Sequence, residues 1–321
     1  MQILRNELIF QPKEGVQCHA SHLALLPDGG TYAVWFQGTR EGADDVRIWG
    51  AYLPAQGGWT EPAPLTPAGG LPHWNPVLHL RNDGVLLLFY KEGRVIANWR
   101  TMIMRSHDLG RSWSDASELA PGDAGGRGPV RNKLLELPDG TLLAPASLED
   151  GQWRCFMDRS EDGGESWVRT ADICIPRPEG GLPTPFGAIQ PALWRDKAGV
   201  HALLRTTQGA LYRTDSADEG RTWSQPFPTS MPNNNSGVDV ACAPDGTLYL
   251  VCNPVSGNWA ARSPLSVFVS SDGGRSWTLL THLVTMPGEY SYPAVLWQGG
   301  ALHITHTWQR RSICYWRIRI C

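Results

Sequence analysis

The sequence predicts an all-β protein of repeated units, and three observations carry that prediction. The chain of 321 residues holds 35 glycines and 25 prolines. Glycine weakens a helix and proline breaks it, so long helices are excluded. Hydrophobic residues make up 41%, ample material for a packed core, which excludes a disordered chain. Finally, a Ser-x-Asp-x-Gly-x-x-Trp segment occurs at Ser106–Trp113, Ser160–Trp167, Ser216–Trp223 and Ser270–Trp277, with starts 54, 56 and 54 residues apart.

The motif has a turn chemistry. Ser and Asp side chains bond nearby backbone N–H groups, glycine takes backbone conformations other residues resist, and Trp buries a large surface. Asp108, Asp162, Asp218 and Asp272 are therefore expected to close turns rather than catalyse. A second periodic signal sets the count. Turn sequences at 27–30, 82–85, 138–141, 196–200, 244–247 and 298–302 each lead into a strand-like run such as TYAVWF or VLLLFY. Six repeats of about 54 residues, each with four short strands, predict a six-bladed β-propeller spanning 1–321 as a single domain. Gly57–Trp59 reads as an eroded motif in the first repeat, and the sixth has none. The ring is expected to close through a strand near Glu7–Phe10 joining the C-terminal strands. Residues 121–130 and 176–186 read as loops between blades.

Charge and motif spacing narrow the partners. The formal net charge is −3, so nucleic acid is not an expected partner. No apolar run approaches the ~18 residues of a membrane span, and no membrane partner is expected. The N-terminus lacks an apolar signal core, which suggests a cytoplasmic protein or a secreted mature form. The seven cysteines show no CxxC spacing and read as buried free thiols. His19/His22 and His303/His306 are three apart in expected strands and point to opposite faces, and Asp44–Asp45 has no further carboxylates close in sequence. No metal and no cofactor are expected, and oligomeric state is left open.

The motifs, their spacing and the repeat count resemble the sialidase (neuraminidase) superfamily of Asp-box, or BNR-repeat, propellers, and within it the bacterial sialidase-like "predicted neuraminidase" group. The resemblance spans the whole chain and includes four intact Asp boxes. It implies an arginine triad for a substrate carboxylate, a tyrosine nucleophile, a glutamate that activates it and an aspartate acid/base. Position by position, it implies Arg205 and Arg262 as triad members, Tyr290 in GEYSYPAV as nucleophile with Tyr292 as its neighbour, and Arg40 followed by Asp44 and Asp45 in TREGADDVRIW, of which Asp45 is favoured. Two positions depart from the pattern. His19 stands where the first triad arginine belongs, and Gln190 stands where the activating glutamate belongs.

The chemistry follows from these residue types. Arginine's planar fork suits a carboxylate. A tyrosine nucleophile, with an ordinary pKa near ~10, needs a base or a cationic field; Glu289 or His19 is expected to substitute for the base missing at 190. Loop clusters of one phase supply His73, Asn75, Lys91, Asn132, Lys133 and Trp308 as further substrate contacts, alongside Arg40, Arg205, Arg262, Gln190 and Tyr292. The structural alternative is that the arginines pair with acids and that Trp74 and Trp308 are core. The leading expectation is an exo-acting glycoside hydrolase that cleaves a terminal, carboxylate-bearing sugar from a glycan. A lyase acting by β-elimination at a uronic acid through His19 and Tyr290, and a carbohydrate-binding propeller without catalysis, are the alternatives.

Overall fold

The structure, a computed structural model, describes residues 1–67, 69–177 and 185–320. Most of the expected 176–186 loop, and Cys321, lie outside the described residues. The other six cysteines are free.

The fold is all-β, with one 3-10 turn at Ile96–Asn98 as the helical element among the described residues. Strand β1 (Gln2–Leu8) is followed by a sheet of β2 (Gln17–Leu25), β3 (Thr31–Gly38), β4 (Arg47–Leu53) and β5 (Ala63–Pro64). A second sheet holds β6 (His73–Leu80), β7 (Leu86–Glu92), β8 (Arg100–Ser106) and β9 (Ser117–Glu118). Next come β10 (Leu135–Glu136), β11 (Leu142–Asp150), β12 (Gln152–Ser160) and β13 (Val168–Arg169), then β14 (Phe186–Asp196), β15 (Gly199–Thr206), β16 (Ala210–Ser216) and β17 (Phe227–Pro232). These eight form one sheet only through a two-residue parallel pairing, Gln152 with Phe186 and Trp153 with Gly187. A further sheet holds β18 (Asp239–Cys242), β19 (Leu248–Cys252), β20 (Leu265–Ser270) and β21 (Thr278–Val284). In the last, β22 (Tyr290–Gln298), β23 (Ala301–Trp308) and β24 (Ser312–Arg319) are joined by β1, so the two ends of the chain share a sheet. The closing strand begins earlier than the Glu7–Phe10 segment expected from sequence but includes Glu7 and Leu8, paired with Tyr315 and Cys314, while Phe10 stacks on Trp35 at 5.0 Å.

The four repeated motifs are closed turns. In each, the serine hydroxyl donates to the aspartate, at 2.8 Å for Ser106–Asp108 and 2.7 Å for Ser160–Asp162, and accepts the glycine N–H, at 2.8 Å from Gly110 and 2.7 Å from Gly164. The Ser216 and Ser270 turns repeat both bonds. The hydroxyls of Ser112, Ser166 and Ser276 lead the hydrogen bonds that hold Asp108, Asp162 and Asp272 well below the usual carboxylate range.

These turns also join neighbouring sheets. Trp113 packs edge-on to Tyr32, and Trp167 to Phe89, each a residue of the sheet before its own. An arginine from earlier in the chain clasps the turn carbonyl: Arg81 to Gly163 at 2.8 Å, Arg213 to Gly273 at 2.7 Å, and Arg159 to Glu219. The eroded first motif keeps both contacts. Arg5 of β1 donates to the Gly57 carbonyl at 2.7 Å, and Trp59 packs on Tyr315 of β24.

Four strands each break register at a residue with left-handed backbone. These are Ala20 (φ 54°), Asn75 (φ 42°), Gln190 (φ 56°) and Tyr292 (φ 53°), inside β2, β6, β14 and β22. Such bulges re-aim a side chain at a cost of about 1–3 kcal/mol each. They persist because buried polar bonds over-determine them. Ser147 Oγ accepts the Gln190 N–H at 3.3 Å, and Asn132 Nδ2 donates to the carbonyls of Gln190 and Pro191 at 3.0 Å each.

The segment Arg131–Asn132–Lys133, immediately before β10, is the hub of these bonds. Arg131 donates to the carbonyls of Val238 and Pro293, and Lys133 Nζ donates to Asp239 Oδ1 at 2.6 Å. The other Asp239 oxygen accepts the Val295 N–H at 2.8 Å. Gly237 passes so close that a Cβ there would meet Arg131 Nε at 3.0 Å. Asp239 is fully buried, and removing its cation leaves an uncompensated charge. Lys133→Ala is therefore expected to destabilise the protein by about 3 kcal/mol or more, read as a lower urea midpoint with an unchanged slope.

Candidate functional site

The bulge in β22 turns Tyr292 toward a cluster of cations. Its hydroxyl accepts a 2.6 Å bond from Arg205 Nη1, which also donates to Gln190 Oε1 at 3.1 Å. Arg205 Nε is fixed by Asn235 Oδ1 at 2.8 Å, and Asn235 Nδ2 donates to Asn258 Oδ1 at 2.7 Å. The Tyr292 ring lies 5.1 Å from the Arg131 guanidinium, 5.6 Å from Arg205 and 5.5 Å from Arg262. The His19 ring packs on it at 4.1 Å.

Charge is unbalanced here. Arg205 and Arg131 are each 2% exposed, yet among the described residues neither has a carboxylate within 4.0 Å. A buried guanidinium without a counter-ion is costly and favours an anion beside it. Burial lowers Arg131 to about 10. Burial pushes the Tyr292 phenol up, but Arg205 and Arg262 outweigh it, and the phenol lies below its ordinary value of 10.0. His19 is held well below 6.5 by its burial and by Arg310, Arg262, Arg131 and Arg205, so its ring is neutral at pH 7. Its Nδ1 pairs with Thr307 Oγ1 at 2.8 Å.

A second charge group borders the first. Glu289 Oε1 accepts from Arg262 Nη1 at 2.7 Å, and both its oxygens accept from Arg310 Nε at 2.9 Å. Arg310 also pairs with Glu41, on the loop that carries Arg40, Asp44 and Asp45. The arginines hold Glu289 below its ordinary value although burial opposes them.

The remaining expected site residues divide by position. Tyr290 is buried with its ring edge-on to His306, and its hydroxyl accepts from Gln309 Nε2 at 2.6 Å. The tyrosine brought to the cations is thus Tyr292, because the two side chains leave β22 on either side of its bulge. Asp45 accepts the Thr39 N–H at 2.8 Å and the Thr39 hydroxyl at 2.9 Å, closing its own loop. Asp44 pairs with Arg94 at 2.9 Å, and Arg40 is exposed.

His73 bonds Thr66 Oγ1 at 2.8 Å and faces Glu92 at 3.5 Å. Lys91 is 0% exposed, spends its donors on Thr101 and on the Gly126 and Arg127 carbonyls, and is lowered to about 7 by burial. Asn132 and Lys133 belong to the hub described above. Asn75 holds the β6 bulge, and Trp308 packs against the core shared with Leu302 and Trp316.

Sequence reasoning passed over three residues here. Trp259, three positions before Arg262, is 58% exposed, has φ 58°, and stands 5.6 Å from the Arg205 guanidinium. Glu41 and Glu149 had no motif to mark them. Glu149 faces Trp153 across the β11–β12 pair, and the Trp153 ring is 5.7 Å from Arg205. Burial raises the Glu149 carboxyl above its ordinary value, against the pull of Arg205. Among the described residues no group of three or more His, Cys, Asp and Glu side chains is arranged to hold a metal, and no helix is long and apolar enough to cross a membrane.

Comparison with known proteins agrees with this architecture. Residues 29–304 match the BNR repeat-like domain, and the chain belongs to that family. Its fold is similar to that of a protein of unknown function from Dyadobacter fermentans, with a TM-score of 0.77 at 14% identity, covering 100% of this chain and 99% of that one. It is similar to the Hadza microbial sialidase Hz136, with a TM-score of 0.78 at 16% identity over 95% of this chain and 66% of that one. It is also similar to the Trypanosoma rangeli sialidase in complex with the inhibitor DANA, with a TM-score of 0.75 at 14% identity over 98% and 59%. The chain therefore spans about two-thirds or less of these two sialidases, and at such identities the likeness is one of fold. No curated protein matches the chain.

The cationic field makes a spectroscopic prediction. In an ultraviolet titration of tyrosinate, one phenol is expected to ionise below pH 10, ahead of Tyr90 and Tyr315, which burial raises. Arg205→Ala is expected to remove that early step by withdrawing the nearest positive charge.

Proposed function

We propose that the sheets are the six blades of one closed propeller and that the protein is an exo-acting glycoside hydrolase for a terminal sugar bearing an anionic group. Splitting the eight-stranded sheet at its two-residue parallel contact leaves six antiparallel groups. The Arg5–Gly57 and Trp59–Tyr315 contacts repeat, between the last group and the first, what Arg81, Arg159 and Arg213 do elsewhere.

The observation that carries the activity is the Tyr292 hydroxyl, 2.6 Å from a buried Arg205 that has no carboxylate within 4.0 Å among the described residues. Arg205 and Arg262 would hold the anionic group of the sugar. Trp259, exposed beside Arg205, offers a ring face to the substrate. The phenolate of Tyr292, stabilised by the same guanidiniums, would attack the anomeric carbon as the bond to the leaving oxygen breaks. Gln190 bonds Arg205 but cannot take a proton, so the cationic field, rather than a base at that position, would lower the phenol.

The leaving oxygen needs a proton. Glu149 suits that role, since a carboxyl raised by burial remains protonated to higher pH. Asp45 is the second candidate, because its loop is tied to the site through Glu41 and Arg310. Water would then attack the same carbon, give its proton to that carboxylate and free the phenolate.

The test uses fluorogenic N-acetylneuraminides and glucuronides. The wild type is expected to release the fluorophore, Tyr292→Phe to lower kcat by roughly a thousandfold, and Arg205→Ala to raise KM about tenfold or more. Glu149→Gln, rather than Asp45→Asn, is expected to abolish the alkaline limb of the pH–rate profile. An unsaturated, ultraviolet-absorbing uronate as product would point to the lyase instead, and unchanged turnover in Tyr292→Phe would overturn the proposal.

A further inference from the structure

We propose that Glu289 is a resident competitor, a carboxylate of the chain itself that occupies the Arg262–Arg310 pair until the anionic group of a ligand displaces it. The inference rests on the reading that Arg262 receives that group. Three observations carry it.

The first is geometry. Glu289 Oε1 takes 2.7 and 2.9 Å bonds from two arginines that come from different segments, and a 3.3 Å bond from the Ser291 hydroxyl. That is how a ligand carboxylate would be bound.

The second is charge. Arg262 and Arg310 meet Glu289 and Glu41, two cations against two anions. Among the described residues, Arg205 and Arg131 have no carboxylate within 4.0 Å. The site thus has a neutralised half and a cationic half. A ligand anion is drawn first to Arg205 and engages Arg262 only as Glu289 yields.

The third is placement. Glu289 is 28% exposed at its side chain, so its carboxylate has water to swing into, whereas the arginine side of the pair is fixed. The turn carrying Arg310 has left-handed backbone at both Gln309 and Arg310, φ 54° each. It is pinned by the Gln309 N–H to the Glu289 carbonyl at 2.8 Å and by Gln309 Nε2 to the Tyr290 hydroxyl at 2.6 Å. The Arg262 carbonyl accepts the Tyr290 N–H at 3.1 Å. His19 contributes no charge to this border, since its ring is neutral and its Nδ1 is 4.0 Å from Glu289. In a competition of this kind affinity is set by the difference between two anions on one pair of cations, so a weak anion fails to open the site.

The experiment is calorimetric titration of the full chain with sodium glucuronate. Glu289→Gln removes the charge and keeps the side chain's shape, and Glu289→Ala serves as a second variant with folding checked by circular dichroism. Both are expected to bind glucuronate about tenfold more tightly than the wild type. The gain should vanish when Arg262→Ala is added to Glu289→Gln. Equal or weaker binding by both variants, or no binding by any of the chains, overturns the competitor role. Arg205→Ala keeps this outcome apart from the anion-site reading. If it weakens glucuronate binding while the Glu289 variants change nothing, only the competitor falls; if it changes nothing, the anion site falls as well.

Discussion

Arg131 is a buried cation with no carboxylate within 4.0 Å among the described residues, and the arrangement around it depends on how that charge is satisfied. Its guanidinium is bonded to the carbonyls of Val238, just before β18, and Pro293, in β22, and its neighbours Asn132 and Lys133 reach two further points on β14 and β18. Carbonyl dipoles solvate the charge only in part, so the residual field spreads outward to Tyr292. The same three residues therefore fasten the sheets and set the electrostatics of the site.

The strained residues make sense in this frame. Each bulge costs free energy locally, and those of β14 and β22 are held by the side chains of Ser147, Asn132 and Arg131. Gln190 and Tyr292 are presented by such bulges and meet at Arg205. A regular strand would alternate its side chains evenly and send Tyr292 elsewhere. The site is thus a product of breaks in strand geometry, and its shape is only as firm as the hub that fixes those breaks.

Charge at the site is partitioned in an uneven way. Where the resemblance to sialidases implies one arginine, the chain has a neutral His19, and where it implies a glutamate it has Gln190. Cations are recovered from Arg131 and Arg310, and carboxylates from Glu149, Glu289 and Glu41, all carried by other segments. Function in such a fold can be preserved, shifted in substrate or lost by moving charges among sheets while the turns stay the same.

The turns and their period were legible in the sequence, because Ser, Asp, Gly and Trp at fixed spacing act locally and every repeat states the same instruction. The all-β class and the closing role of the four aspartates followed from that. What the tertiary structure decided are contacts between residues far apart in the chain. Tyr292 rather than Tyr290 reaches the cations because of a one-residue bulge, which has no composition signature. Lys91 and Lys133 look like surface ligands in a linear reading, yet Lys91 is buried, Lys133 is half-buried, and both are bonded within the protein. Trp259 and Glu149 join the site only because strands from different repeats converge there. Local turn chemistry is written residue by residue, whereas a buried charge is balanced by whatever the fold brings beside it.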